Sequence, residues 1–290
     1  MSDLVYEDFA AMYAELTDFA VDFGTLHDTL TEDPDILRRL YLITDNLIDD
    51  AAKFNLTSIT EPAEIIRKHL IDSLIPLSLI NDNIGLRSSI ADVGTGGGFP
   101  LLPMAAALAT ISPDTHLTGI DSTAKKISHI QNAAAYVGLT NVSAVAGRAE
   151  ELAAPSQKKS AGGTKGKGTK NNAKNAKSAK NVKGVDDTPT YRASFDLVTA
   201  RAVASLPVLL ELCAPLLQRD GVFAALRSHA DEELPSGDAA AAPLGLKREG
   251  KLDYELPGGD VRCVIFYRKI SDTPEAFPRR YAEITKHPLG

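Results

Sequence analysis

The first part of the chain carries apolar residues at helical spacing. Asp33 and Pro34 are a typical N-cap and first helical residue, and apolar residues then recur every three or four positions. A second helix is predicted to begin at Pro62, and Pro76 is expected to end or kink it. Residues 1–85 are therefore predicted to form an N-terminal helical subdomain.

Beyond this part the pattern changes to short apolar runs that alternate with helical stretches. The runs, typical of buried strands, lie at residues 90–93, 116–120, 142–146, 195–199 and 222–226. Helical stretches lie between them. Strict alternation of strand and helix predicts an α/β fold with a doubly wound, mostly parallel sheet.

Two further apolar runs close the sequence without a long helix between them. They cover residues 251–256 and 263–269 and are joined by the turn residues 257–260, which favours an antiparallel hairpin at one edge of the sheet. Residues 86–290 are accordingly predicted to be one Rossmann-like domain.

The charge of the chain is unevenly distributed. Its 290 residues carry a net charge of −7, but residues 156–184 contain nine lysines and no acidic residue. The rest of the chain then holds 22 basic and 38 acidic residues, a net charge of −16. The segment is too polar to bury a core, so we interpret it as a disordered insertion that favours a polyanionic partner.

Several classes of protein are not supported. The apolar stretches are shorter than the roughly 18 residues of a membrane span, and the acidic N-terminus is unlike a secretory signal, so we expect a cytoplasmic protein that does not enter a membrane. Cys213 and Cys263 form no Cys-x-x-Cys pair, and the six histidines show no metal spacing. No metal site is predicted.

A glycine-rich loop, residues 94–98, follows the first predicted strand and precedes a helix. Such glycines allow a tight turn and bring a ligand close to the backbone. A dinucleotide fingerprint needs a third glycine where this chain has Phe99. S-adenosylmethionine (SAM) has no phosphates and requires less of the loop, so the pattern favours SAM over NAD.

An acidic residue, Asp121, ends the second predicted strand. It is placed to accept hydrogen bonds from ribose hydroxyls, and the alternative is that it caps the following helix. After the third strand, Arg148, Ala149 and Glu150 would border an adenine.

Seven segments together resemble the ribosomal RNA small-subunit methyltransferase G family, also called glucose-inhibited division protein B. They are residues 55–59, 69–74, 92–103, 121–126, 148–150, 200–202 and 277–280. The resemblance runs from about residue 35 to the end, except for the lysine-rich insertion. Leu101 and Leu102 depart from it, because the family usually has Gly-Ile there.

The resemblance implies a class I SAM-dependent methyltransferase fold. It also implies methylation of N7 of one guanosine in the decoding-centre hairpin of small-subunit (16S) ribosomal RNA. The partner would be that RNA or the assembled small ribosomal subunit. By position in the matching motifs, the SAM-binding residues would be Gly94, Phe99, Ala149, Glu150 and Arg201, supported by Gly96, Gly98 and Asp121.

Guanine N7 carries a lone pair and no proton, so its methylation needs no general base. We therefore predict no catalytic residue and a mechanism that depends on positioning. Arg201 and Asn55 are candidate substrate contacts; the alternatives are a surface ion pair for Arg201 and a helix cap for Asn55. His69 and Asp72 share a helix face, which favours an intrahelical hydrogen bond or packing against the sheet over catalysis.

Two other functions stay open at this point. One is a non-catalytic ribosome-assembly or RNA-binding factor that keeps the methyltransferase fold. The other is an NAD-dependent oxidoreductase, which would need a third glycine and a set of catalytic residues that the sequence does not offer.

Overall fold

The computed structural model describes residues 3–18, 23–54, 56–155, 190–201 and 204–290. Two features of the sequence analysis, Asn55 and the lysine-rich insertion, lie outside these residues. The strands are β1 (Ser89–Val93), β2 (His116–Asp121), β3 (Val142–Ala146), β4 (Phe195–Arg201), β5 (Leu217–Arg227), β6 (Leu246–Glu255) and β7 (Val261–Lys269).

These strands form one sheet in the order β3-β2-β1-β4-β5-β7-β6. The first five pair in parallel, and β7 pairs antiparallel with both β5 and β6. The predicted doubly wound sheet and its edge hairpin are therefore confirmed. The chain leaves β1 toward β2 on one side and later returns to β4 on the other, and such a switch point opens a crevice at the carboxyl ends of the strands.

Helices surround the sheet. Those of the described residues are α1 (Tyr6–Asp18), α2 (His27–Glu32), α3 (Pro34–Phe54), α4 (Pro62–Ile65), α5 (Asp72–Ile84), α6 (Leu101–Ile111), α7 (Ala124–Val137), α8 (Ala149–Leu152), α9 (Leu206–Cys213), α10 (Leu234–Ala241) and α11 (Tyr281–Lys286). The predicted start of α3 is confirmed, because Asp33 Oδ1 accepts hydrogen bonds from the backbone N–H groups of Asp35 and Ile36 at 3.0 and 2.9 Å.

The helix that begins at Pro62 does not end at Pro76. A π-helical segment, Ile66–Ile71, joins α4 to α5, and α5 continues to Ile84 with Pro76 inside it. A proline removes one helical hydrogen bond, but Pro76 and its neighbours Ile75 and Leu77 are buried. Packing of this segment therefore outweighs the local preference that suggested an end.

The N-terminal helices and the sheet share one hydrophobic core. Ile36 and Leu40 of α3 and Leu74 of α5 belong to the same buried cluster as Leu197 of β4 and Val264 of β7. The helices thus cover one face of the sheet. The subdomain boundary at residue 85 stays a prediction.

The lysine-rich insertion is bounded by residues that lie together. Tyr191 N–H donates to the carbonyl of Leu152 at 2.8 Å, and the Thr190 hydroxyl donates to the carbonyl of Ala154 at 3.2 Å. The residues that precede and follow the insertion, Ala154 and Thr190, therefore lie side by side.

An ion pair fixes the C-terminal segment to α9. The Glu211 carboxylate is fully buried and accepts hydrogen bonds from Arg279 Nε at 2.9 Å and Arg279 Nη2 at 2.6 Å. A buried carboxylate that loses its partner is left with an uncompensated charge. This contact holds α11 against the body of the domain.

Replacing Arg279 by Ala is expected to lower the free energy of unfolding by about 3 kcal/mol, because it removes the guanidinium that pairs with the buried Glu211 carboxylate. The neighbouring Arg280 is exposed, and Arg280→Ala is expected to change stability by no more than about 0.5 kcal/mol. Urea unfolding of both variants measures the difference. Equal stabilities for the two would contradict this account of the C-terminal segment.

Candidate functional site

The glycine loop connects β1 to α6 at the carboxyl edge of the sheet. Gly94, Gly96 and Gly98 have φ values of 73°, 59° and 93°, a region that other residues rarely adopt. A Cβ atom at Gly98 would lie 2.6 Å from Leu102 Cδ1, so this glycine is needed for packing. At Gly96 a Cβ atom would meet only the carbonyl of Gly94, at 3.8 Å. The backbone at Gly96 is therefore open to a ligand.

Asp121 joins the glycine loop to the start of α7. Its Oδ2 accepts a hydrogen bond from Gly96 N–H at 3.1 Å, and its Oδ1 accepts one from Thr123 N–H at 2.8 Å. The turn before the helix is thus supported by Asp121. A carboxylate has about four acceptor positions, so this one still has capacity for hydroxyl donors.

A cavity of about 450 Å³ lies over the carboxyl ends of β1, β2 and β4. Of the eight residues proposed from the sequence to bind SAM, five line it: Gly94, Asp121, Ala149, Glu150 and Arg201. Gly96 and Gly98 shape the loop beside it. The structure therefore brings together residues that are more than 100 positions apart in the chain.

Phe99 lies away from this cavity. Its side chain is buried and stacks on the His69 ring, with 4.6 Å between the ring centroids. His69 Nε2 lies 3.1 Å from the Thr57 hydroxyl, and burial lowers the pKa of His69 to about 4. The ring is therefore neutral at physiological pH, and the stack packs the glycine loop onto the π-helical segment.

Arg201 stands between two cavities. It lines the cavity over the glycine loop and also a second one of about 550 Å³, which lies against α5, β4 and β6. Its Nη1 donates to Asp72 Oδ2 at 3.1 Å, and only 19% of its side chain is exposed. The ion pair that the sequence left open is present, but it is largely buried and lies in the site.

Asp72 has partners that the sequence analysis missed. Of the two expected arrangements, an intrahelical hydrogen bond with His69 or packing against the sheet, Asp72 shows the second, because the Tyr254 hydroxyl of β6 donates to Asp72 Oδ1 at 2.9 Å. Burial raises the pKa of Asp72, while Arg201 and Tyr254 oppose this effect. The only signal in the sequence was its place in the segment 69–74.

Tyr281 is a second residue that the sequence analysis missed. It opens α11, lines the first cavity and lies under the Arg148 guanidinium, with 4.6 Å between Arg148 Cζ and the centroid of the ring. Such a contact is a cation–π interaction. The C-terminal segment therefore forms one wall of the cavity beside Ala149 and Glu150.

Asp92 of β1 supports the glycine loop from below. It is buried in the core of the sheet, and its Oδ1 accepts a hydrogen bond from the Thr199 hydroxyl at 2.9 Å. Burial raises the pKa of Asp92 to about 6. At neutral pH the Asp92 carboxylate is therefore charged in the folded protein, and its burial lowers the free energy of unfolding.

The described residues offer neither a metal site nor a membrane span. No three side chains among their His, Cys, Asp and Glu residues are grouped as metal ligands would be. Within the same ranges, no helix has the length and apolar character needed to cross a membrane.

The class of protein follows from these features. A ligand over the ends of β1 and β2 would lie on glycine backbone and beside a carboxylate, which suits a nucleoside with a cationic group better than a pyrophosphate. Together with the strand order, this defines a Rossmann-like methyltransferase, a class of enzyme that takes a methyl group from SAM.

Comparison with known proteins gives the family. The model of the rRNA small subunit methyltransferase G family matches residues 37–162. A protein of that name from Desulfitobacterium hafniense is 36% identical over 88% of this chain and 90% of its own length. Another, from Acetivibrio thermocellus, is 33% identical over 89% of this chain and 90% of its own length. The chain belongs to this family of methyltransferases, and not to the NAD-dependent oxidoreductases.

Among solved structures, an O-methyltransferase from Bacillus cereus in complex with SAH is 13% identical and has a TM-score of 0.49. The match covers 91% of this chain and 100% of that chain.

Asp92→Asn is expected to stabilise the protein at pH 7.5 by up to about 3 kcal/mol, because it removes a buried charge. Between pH 4 and 6 folded Asp92 keeps its proton while the unfolded chain loses it, so the stability of the original protein falls as the pH rises. The gain in the variant should therefore be small near pH 4 and full above pH 6. Urea unfolding at several pH values tests this, and a difference that does not change with pH would contradict it.

Proposed function

We propose that the chain binds SAM in the cavity over β1, β2 and β4 and methylates N7 of one guanosine in small-subunit (16S) ribosomal RNA. The target would lie in the decoding-centre hairpin, presented as RNA or within the small subunit. The observation that carries this proposal is Arg201, which lines the proposed cofactor cavity and a second cavity large enough for a base.

The residues of the first cavity fit SAM. The open backbone at Gly96 accommodates close approach, Asp121 offers carboxylate oxygens to ribose hydroxyls, and Ala149 and Glu150 border the adenine. We also assign Gly94 and Arg201 to the binding of SAM. Gly98 and Phe99 act indirectly in this proposal, through the packing of the loop on Leu102 and His69.

When bound, SAM supplies an electrophilic methyl group. The N7 lone pair of guanine would accept this methyl group as the carbon–sulfur bond breaks, and no proton would have to move. The task of the chain is then to hold the two reactants in line and to exclude water. Neutral His69 and paired Asp72 need not act as bases.

A ribosomal substrate places the proposed activity in the cytoplasm. The lysine-rich insertion would support binding to RNA, because its nine lysines can neutralise phosphates without reading sequence. The helical part up to residue 85 would form the predicted subdomain, packed on the sheet, and would carry Asp72 to the second cavity.

Deleting the gene is expected to remove one 7-methylguanosine from 16S rRNA, and mass spectrometry of nuclease digests would locate the nucleotide. Purified protein with labelled SAM should restore the methyl group on small subunits from the deletion strain. The main competing function is a non-catalytic assembly factor. That alternative would gain support if the modification persisted while the subunits assembled poorly.

Gly96→Ala is expected to weaken SAM binding at least about tenfold while costing about 1–2 kcal/mol of stability, because alanine must adopt a left-handed conformation. Gly138→Ala is the matched control. Gly138 has a φ of 80° and nothing near its Cβ position, and it ends α7 away from the cavity. Calorimetric titration with SAM should separate the two variants, and equal affinities would argue against the proposed cofactor site.

A further inference from the structure

The second cavity has the charges of a nucleotide site. Among its lining residues, four cationic side chains, Lys68, Arg201, Arg227 and Arg262, accompany a single carboxylate, that of Asp72. Its volume of about 550 Å³ lies within the range of small-ligand pockets. The cations suit phosphates, but a carboxylate in their midst needs a separate explanation.

The Asp72 carboxylate is held from three directions. It begins α5, and it is bound by Arg201 at the end of β4 and by Tyr254 in β6, while Arg262 Nε lies 3.8 Å away. Only 9% of its side chain is exposed. A buried ion pair contributes little net stability compared with apolar packing, so stability alone does not account for this arrangement.

The carboxylate keeps capacity for a ligand. Each of its oxygens accepts one of these hydrogen bonds, Oδ1 from Tyr254 and Oδ2 from Arg201. An ionised carboxylate has about four acceptor positions. Two adjacent donors on a ligand could therefore bind side by side, one to each oxygen.

We propose that Asp72 recognises the Watson–Crick edge of the target guanine and so determines which base is methylated. This inference rests on the proposed function. Guanine presents two adjacent donors on that edge, N1–H and the N2 amino group. Adenine and cytosine place a ring acceptor beside their amino group, and uracil flanks its one donor with two carbonyls. A fixed pair of carboxylate oxygens therefore matches guanine and repels the other bases.

Recognition through this edge suits methylation at N7. N7 lies on the opposite edge of the purine, so a guanine bound to Asp72 leaves its N7 lone pair uncovered. Methylation gives the purine ring a positive charge, and a nearby carboxylate stabilises charge that develops during the reaction. A base in this cavity must leave its stack, as in other enzymes that act on nucleobases.

The test uses small subunits reconstituted with guanosine or with inosine at the target nucleotide located by mass spectrometry. Inosine lacks only the N2 amino group. The original protein is expected to show a kcat/KM about 10- to 100-fold lower for inosine, because a hydrogen bond to a charged group is lost. In Asp72→Asn the activity on guanosine should fall, and the two substrates should differ by less than about threefold.

Asp238→Asn is the matched control. Asp238 also pairs with an arginine, Arg248, at 2.8 Å and accepts a hydrogen bond from a tyrosine hydroxyl, that of Tyr267, at 3.2 Å, but it lines neither cavity. Asp238→Asn should show the same ratio of kcat/KM for guanosine and inosine as the original protein. A merely structural role for Asp72 would lower both activities and leave their ratio unchanged.

The outcomes are distinct. Equal methylation of guanosine and inosine by the original protein would overturn the inference and leave the proposed function standing, and this comparison needs no variant to fold. An unchanged ratio in Asp72→Asn with SAM affinity preserved would also overturn it. Failure of the original protein to methylate guanosine would overturn the proposed function and the inference with it.

Discussion

The pairing of β1 with β2 on one side and β4 on the other is the constraint on which the site depends. The chain runs from β1 to β2 and β3 on one side and then crosses to β4 on the other side of β1, so the connections separate at the carboxyl end of β1. The glycine loop, Asp121 and Arg201 lie at that edge because each follows or ends one of the three strands. The cavity is thus a result of topology before any side chain is considered.

Three buried carboxylates at or near this edge, those of Asp121, Asp72 and Asp92, have different hydrogen-bond partners. Asp121 accepts hydrogen bonds from backbone N–H groups of the loop and of the turn before the next helix, and Lys126 Nζ lies 4.0 Å from its Oδ2. Asp72 instead depends on Arg201 and Tyr254, which come from separate strands. Asp92, below the loop, is buried beside Thr199 and is costly when charged. Three carboxylates close in space therefore have three different electrostatic environments.

Much of the fold could be predicted from the sequence because its signals are local. The alternation of apolar runs with helical stretches placed all five parallel strands. Long-range effects were missed. The continuation of α5 through Pro76 depends on burial. The strand β5 begins at Leu217, earlier than predicted, and the apolar pattern missed this part because Gln218 to Asp220 are polar and exposed.

The site residues that lie at or just after the carboxyl ends of strands could be predicted from the sequence. Gly94, Asp121 and Ala149 could be found from their positions after predicted strands. The pairing of Asp72 with Arg201 could not, because 129 positions separate them and neither carries a spacing signal. Tyr281 also joins the cavity only through folding of the C-terminal segment, which Glu211 and Arg279 hold in place.

The closeness of Leu152 and Ala154 to Thr190 and Tyr191 has a consequence for how this chain can change over time. When the residues on both sides of an inserted segment lie side by side, the segment can be longer or shorter without moving the neighbouring elements. The entropic cost of closing such a loop grows only slowly with its length. The structure of the domain therefore does not depend on the length of this insertion. Insertions of other lengths or sequences at this position would be compatible with the same cavity above the sheet.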